Sequence, residues 1–214
     1  MRNKEKTIEN ILESAREEFT KHGFEKASIR VIAKNAGVTP GAIYKHFDSK
    51  ETIFKAIVSP VLDQFYKKTQ ELTQRALEAI QLDDFSGFQE IATKDNKDLL
   101  DDIYQNFAIF NLLFNASQGT HYDSIQHEIV NFEVAEAKKI MSALREKKIP
   151  IKPFNDRELH ILYTMVLTPL FEIITHQYPY EDALLLLDLM DTALRFGWDQ
   201  LIKPYLEKAN SNEF

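Results

Sequence analysis

Ser28-Ile29-Arg30-Val31-Ile32-Ala33-Lys34-Asn35-Ala36-Gly37-Val38-Thr39-Pro40-Gly41-Ala42-Ile43-Tyr44-Lys45-His46-Phe47-Asp48-Ser49-Lys50-Glu51 is the stretch whose reading decides the fold. Ser28 is a residue type that caps a helix, because its hydroxyl can accept from the free amides of the first turn. Ile29, Ile32, Ala33 and Ala36 then give a short helix to about Asn35 one apolar face. Gly37 stands where the chain must turn, and glycine takes the left-handed conformation without steric cost. Val38 is expected to plug the crossing, Thr39 to cap the next helix, and Pro40 to occupy its first position, where a missing N–H costs nothing.

That second helix, expected over Pro40 to Phe47, sends only Ile43 and Phe47 inward. Gly41, Ala42, Tyr44, Lys45 and His46 are left facing out. Two small residues would let its backbone approach a partner closely, and three larger ones are donors suited to phosphates and base edges. Asp48 or Ser49 caps a third helix with Glu51 closing the box. Lys50 is unfavourable beside the positive end of the helix dipole unless a phosphate docks there. The pattern is a helix-turn-helix shaped for a DNA major groove. A plain surface helix in a bundle is the alternative.

Working outward, the segment from about Ile8 to Phe65 resembles the DNA-binding domain of the tetracycline-repressor (TetR) family of bacterial regulators. The matching residues are Phe19-Thr20-Lys21-His22-Gly23-Phe24, Ser28-Ile29-Arg30, Ile32-Ala33, Ala36-Gly37-Val38, Gly41-Ala42-Ile43-Tyr44, His46-Phe47 and Ser49-Lys50-Glu51. The resemblance implies an all-α homodimer with a three-helix N-terminal DNA-binding domain, about residues 1–50. A larger helical effector-binding and dimerisation domain, 51–214, would follow. It implies Ser28, Arg30, Thr39, Pro40, Gly41, Ala42, Tyr44, Lys45, His46 and Lys50 as DNA contacts, with Lys50 on a phosphate and Lys45 carrying operator specificity. It also implies release of the operator by a small molecule, most members being repressors.

Composition agrees. The chain has 214 residues and a net charge of −7, yet residues 1–50 hold ten Lys or Arg against seven Asp or Glu. The remainder is therefore at −10, so the positive charge lies where DNA is expected. Zero cysteines excludes disulfides and zinc–cysteine sites, and six glycines leave little punctuation for a large sheet. No apolar run reads as long enough to span a bilayer and no signal-peptide core is evident, so a cytoplasmic protein without membrane contact is expected. No serine elbow, phosphate loop, paired-carboxylate pattern or Cys-His pair supports an enzyme, and no cofactor is implied.

Further along, periodicity predicts a first helix over about Asn3 to Lys21, preceded by a basic arm (Arg2, Lys4, Lys6) that either touches DNA or is solvated. A fourth helix begins near Lys50, with Pro60 kinking or breaking it. Others are expected at Phe85–Thr93, Lys97–Asn115, Tyr122–Lys148, Asp156–Gln177 and Tyr180–Lys208, with Ile149 to Pro153 a loop. The last two carry wide apolar stripes, including Leu167, Leu170, Ile174, Leu187, Leu194, Trp198 and Leu201. These suggest a four-helix dimer interface or, alternatively, a core within one chain.

For an apolar effector cavity the candidates are Tyr104, Phe107, Phe110 and Phe114 on one aromatic helix, with Met141, Tyr163 and Phe171. Pro169 is a candidate cavity wall, and ordinary core packing is the competing reading for each. His121, His127, His160 and His176 invite a metal site, with Glu172 four residues before His176. That spacing is also common for surface pairs, and no metal is assigned. A helical interaction module or small-molecule carrier without sequence-specific DNA binding is the rival function.

Overall fold

The computed structural model describes residues 2–92, 97–149 and 153–201. Among them are ten helices and no strand: α1 (Arg2–Lys26), α2 (Ile29–Asn35), α3 (Pro40–Ile43), α4 (Lys50–Gln81), α5 (Phe85–Ala92), α6 (Lys97–Gln105), α7 (Phe107–Asn115), α8 (Ile125–Glu146), α9 (Asp156–Thr175) and α10 (Tyr180–Leu201). The fold is all-α. Of the expected features, Thr93, the loop positions Pro150 to Lys152 and the end of the last helix beyond Leu201 lie outside the described residues. So do the side chains of Arg2, Leu194, Trp198 and Leu201.

The chain forms two compact units. The first takes in Met1–Gln64 together with Asn106–Ile125, and the second Phe65–Gln105 with Gln126–Phe214. In the first, Ile11, Ala15 and Phe19 of α1 meet Ile32, Ala33, Ile43, Ile53, Phe54 and Val58, all essentially fully buried. Side chains of this size each stabilise a fold by about 1.5–3 kcal/mol when fully buried. Phe54 is the hub of an aromatic cluster, with ring centroids 5.3 Å from Phe19, 5.6 Å from Phe24 and 6.1 Å from Tyr122. The Ser14 hydroxyl donates to the Ile32 carbonyl at 3.0 Å, fixing α1 against α2.

In the second unit, Ala76, Ala79 and Ile80 of α4 pack with Phe88, Leu144 and Ile149. Asn155 starts α9 with a complete capping box: its side chain accepts from Arg157 and Glu158, and Glu158 answers the Asn155 amide. Such reciprocal satisfaction of free amides sets a helix start firmly.

Several expectations are corrected. The helix predicted over Lys97–Asn115 is two helices, because Asn106 (φ −119, ψ 24) leaves helical geometry and its carbonyl restarts the ladder by accepting from Ile109 and Phe110. Pro60 does not break α4. It is exposed, so water can satisfy the Ala56 carbonyl that loses its donor. Likewise α9 runs unbroken through Pro169. Finally, Asp156–Thr175 is by length and composition alone apolar enough to cross a membrane, with a best-window hydropathy of 1.2, contrary to the sequence expectation. A core helix passes the same test, and its Leu159, Leu167, Leu170, Phe171, Ile173 and Ile174 are buried within the protein.

Candidate nucleic-acid interface

The helix-turn-helix is built much as its residues dictate. Gly37 has φ +69, the left-handed turn that a side chain would resist. Its neighbour Val38 donates to the Ala33 carbonyl at 2.9 Å and is half-buried at the crossing. Thr39 caps α3, its hydroxyl accepting from the Ala42 amide at 3.2 Å, with Pro40 in the first turn. Regular helix ends at Ile43, earlier than expected. The chain continues in tight turns to Phe47, whose amide donates to the Ile43 carbonyl at 3.0 Å. A helix's final turn commonly tightens this way.

Ile43 is fully buried, whereas Phe47 is only half-buried. Thr39, Pro40, Gly41, Tyr44 and Lys45 are exposed, Ala42 and His46 half-buried. Tyr44 leaves 52% of its surface uncovered, a large aromatic with nothing to do inside the protomer. Gly41 is equally telling. A Cβ there would meet only Thr39 Oγ1 at 4.0 Å, so the fold leaves room for alanine. Glycine in a helix costs about 1 kcal/mol relative to alanine. Packing within the protomer therefore gives no reason for glycine at this position.

Ser28 and Arg30, at the start of α2, are half-buried and exposed. Ser28 holds the cap position with extended backbone, but its hydroxyl makes no capping bond. Its amide instead donates to buried Glu18 at 3.0 Å. The box at the start of α4 is also different from the expected one. Ser49 and Thr52 cap each other (3.0 and 3.1 Å), and Glu51 accepts from the distant His121 amide at 2.9 Å.

Lys50 is held within the protein. Its ammonium donates to the carbonyls of Phe24 (2.6 Å), Glu25 (3.1 Å) and Ala27 (3.2 Å) and lies 4.5 Å from the Phe24 ring centroid. All three N–H donors are therefore used at the end of α1. Burial lowers the Lys50 pKa, and Glu25 opposes that fall. In this arrangement Lys50 clamps the start of α4 to the end of α1.

The residues expected around an effector divide between the units. Phe107, Phe110 and Phe114 belong to the first, with Phe110 buried. Tyr104, Met141, Tyr163, Pro169 and Phe171 belong to the second. There Tyr104 donates to the Tyr178 carbonyl at 2.6 Å and packs edge-on to Tyr180 at 5.1 Å. An open cleft of about 530 Å³ lies between α8 and α9, lined by Asn131, Val134, Lys138, Arg157, His160 and Ile161 among others. None of the expected aromatics lines it.

A site that the sequence reading missed stands on three helices of the second unit. Glu133 sits on the face of α8 that carries Ile129, Val130, Ala137 and Leu144, all buried. Its carboxylate accepts from the Thr69 hydroxyl of α4 at 3.2 Å. Burial pushes the Glu133 carboxyl up to about 7, with the Thr69 bond opposing and Glu136 adding to the rise. Burial, reinforced by Glu133, likewise pushes the Tyr163 phenol of α9 up to about 12. A carboxylate centred in an apolar helical stripe was the available signal.

The dimer expectation also shifts. Leu167, Leu170 and Ile174 are committed to the protein's own core, because their face of α9 points inward; Leu187 is half-buried. Among the described side chains of α9 and α10, the large apolar residues left uncovered are Ile161, Met165, Leu185 and Leu189, each more than half exposed. His176 pairs with Glu172 at 2.9 Å on the surface, and the His127 and His160 rings meet at 5.2 Å. Among the described residues no group of three or more metal-ligating side chains occurs.

A short helix with buried Ile43 behind it and small, aromatic and cationic residues in front, set in an all-α frame, defines a helix-turn-helix protein. Residues 11–57 match the model of the bacterial regulatory proteins of the tetR family. Over this N-terminal segment, about a fifth of its length, the chain is similar to the TetR family. Over 52 residues it is 44% identical to the HTH-type transcriptional regulator UidR of Escherichia coli (strain K12), covering 24% of this chain and 26% of UidR. Over 49 residues it is 43% identical to the HTH-type transcriptional repressor AcnR of Corynebacterium diphtheriae, covering 23% and 26%. The match thus spans about a quarter of the length of these relatives.

Likeness of fold reaches further. NalD, the secondary repressor of the MexAB-OprM multidrug efflux pump in Pseudomonas aeruginosa, superposes with a TM-score of 0.59 at 21% identity, over 89% of this chain and 96% of that one. The TetR family transcriptional regulator PfmR from Thermus thermophilus gives 0.53 at 20% identity, over 84% and 96%.

Proposed function

We propose that this protein is a ligand-responsive transcriptional repressor, acting in the cytoplasm, that binds a palindromic operator as a homodimer. A small, largely apolar molecule entering the second unit would release it. The observation that carries the reading is the outward face of α3, where exposed Tyr44 and Lys45 flank a Gly41 that the protomer itself does not need. Thr39, Pro40, Ala42 and His46 complete the reading surface, and Ser28 and Arg30 contact the backbone alongside. Lys50 supports this surface from behind.

The apolar faces of Ile161, Met165, Leu185 and Leu189 are the surface by which two copies pair, since uncovered side chains of that size are costly in water. Two reading helices about 34 Å apart then meet successive major grooves. That AcnR and NalD are repressors by name supports the direction of control. The test is selection of genomic fragments by the purified protein, followed by sequencing. Recovery of a palindrome with half-sites one helical turn apart is expected, and recovery of random DNA would refute the reading.

A further inference from the structure

Which base edges the outward side of α3 can read depends on what its side chains donate and accept. From Thr39 to Phe47 the sequence has no carboxylate and no carboxamide. Those are the groups that accept from adenine N6 and cytosine N4 in the major groove. The Thr39 hydroxyl oxygen is already committed to the Ala42 amide at 3.2 Å. The Tyr44 phenol and the His46 imidazole each donate and accept, so neither selects an edge by its chemistry alone. Lys45 is the only side chain of the segment that donates without accepting.

The structure leaves Lys45 available for that purpose. It is exposed, and among the described residues no hydrogen bond or ion pair holds its ammonium. Lys50 differs, because its three donors are bound to the carbonyls of Phe24, Glu25 and Ala27. The Lys45 amide donates to the Ala42 carbonyl at 3.3 Å, in the tight turn that follows the regular helix. Residues three apart in such a turn lie one above the other, so Lys45 stands beside Ala42. Gly41 precedes it by one helical turn on the same side, with open space where a Cβ would be. Two small residues next to a long cationic stem let the backbone approach a groove until the ammonium reaches its floor.

We propose that Lys45 reads a guanine in each operator half-site, and that this contact sets which operator the protein selects. Guanine is the base that offers two acceptors, N7 and O6, to the major groove. Adenine sets a donor beside its acceptor, thymine sets a methyl beside O4, and cytosine presents a donor. An ammonium with no acceptor of its own is satisfied best by the first and opposed by the donors of adenine and cytosine. This rests on the reading of α3 as the surface that enters the groove. A lysine on a phosphate would instead serve every sequence alike.

Random-sequence duplexes selected by the purified full-length protein are sequenced, and the same selection is run with Lys45→Ala and Lys45→Gln. Affinities for single-base variants of the recovered half-site are then measured by fluorescence anisotropy at one salt concentration. An invariant guanine is expected in each half-site, and its replacement by adenine should weaken wild-type binding roughly 5- to 150-fold. Lys45→Ala should bind the guanine and adenine duplexes alike. Lys45→Gln, whose carboxamide accepts from N6 and donates to N7, should shift the preference at that position towards adenine.

The proposal is overturned by half-sites that lack a preferred guanine, or by either variant keeping the wild-type preference for it. An alanine variant that loses affinity equally for all sequences overturns it too, since that is the behaviour of a phosphate contact. Selection of a palindrome without such a guanine refutes the base contact and leaves the regulator standing. Absence of any sequence-selective binding refutes the regulator itself.

Discussion

Lys50→Met separates two roles for one residue. Methionine keeps most of the apolar stem but removes the ammonium from three carbonyls at 2.6, 3.1 and 3.2 Å and from its place over the Phe24 ring. Hydrogen bonds from charged donors contribute about 1.5–3 kcal/mol where water is excluded. This side chain is half-buried and water replaces part of the loss, so about 2 kcal/mol is expected. Because Lys50 sits at the first residue of α4 and its acceptors at the end of α1, the loss falls on the unit that carries the reading helix.

A phosphate ligand would behave otherwise. Two subunits losing one contact each would reduce the slope of log K against log salt by about 1.8. The assays are urea unfolding of the variant and a salt titration of operator binding by fluorescence anisotropy. Lower stability with an unchanged slope is the expected result. Unchanged stability with a slope reduced by about 1.8 would show that the ammonium leaves its carbonyls for the DNA, and the clamp argument would be wrong.

Tyr44→Ala should leave circular dichroism and melting unaltered, since the ring is 52% exposed, while weakening operator binding by about 1–2 kcal/mol. Gly41→Ala should raise the melting temperature, through up to about 1 kcal/mol of helix propensity, and lower operator affinity; a rise in both would remove DNA from the account of that glycine. Ile161→Asp combined with Leu185→Asp should give a folded monomer by light scattering, and a persisting dimer would place the interface elsewhere. Glu133→Gln should stabilise the protein at pH 8 by up to about 3 kcal/mol and hardly at all at pH 4.5. The sign follows from a folded-state pKa raised from 4.5 to about 7: the native protein keeps a proton that the unfolded chain releases, so wild-type stability falls as pH climbs through that window. Equal melting of the two proteins at pH 8 would contradict the burial of the charge.

What the sequence made legible was local. Gly37, the Thr39 cap and Pro40 act within four residues of themselves, so their chemistry is visible in the string and is realised in the turn. Lys50 and Glu51 take partners, Phe24 to Ala27 and His121, that lie far off in the chain and that no local rule names. Local rules gave Glu51 a capping box, and a tertiary contact took it elsewhere. The stripes of α9 and α10 were read as broad, but breadth does not say which half is the core; packing turned Leu167, Leu170 and Ile174 inward and left Ile161 and Met165 outside. Asn106, a polar residue with no proline or glycine beside it, gave too weak a signal to divide α6 from α7. Glu133 was different. Its place among Ile129, Val130, Ala137 and Leu144 was legible from spacing alone and passed unread.

The first unit is discontinuous in the chain. Asn106–Ile125 belongs with the reading helices even though it follows them by some sixty residues. The Phe24 amide donates to the Ala116 carbonyl at 2.9 Å, the His121 amide to Glu51 at 2.9 Å, and Ser59 and Tyr122 share a hydrogen bond of 3.1 Å. Adjacent residues Lys50 and Glu51 thus hold different partners, the end of α1 and the loop after α7. That segment continues directly into helices of the other unit, from α6 ending at Gln105 and into α8 starting at Ile125. Consecutive Cα atoms stay about 3.8 Å apart while φ and ψ remain free to turn, so it is the hydrogen bonds that fix where the segment lies within the first unit. Hydrogen bonds near 2.9 Å tolerate only about 0.3 Å of stretch before leaving their favourable range. The bonds at Ala116, His121 and Tyr122 therefore hold the segment closely against the end of α1 and the first turns of α4 within the first unit.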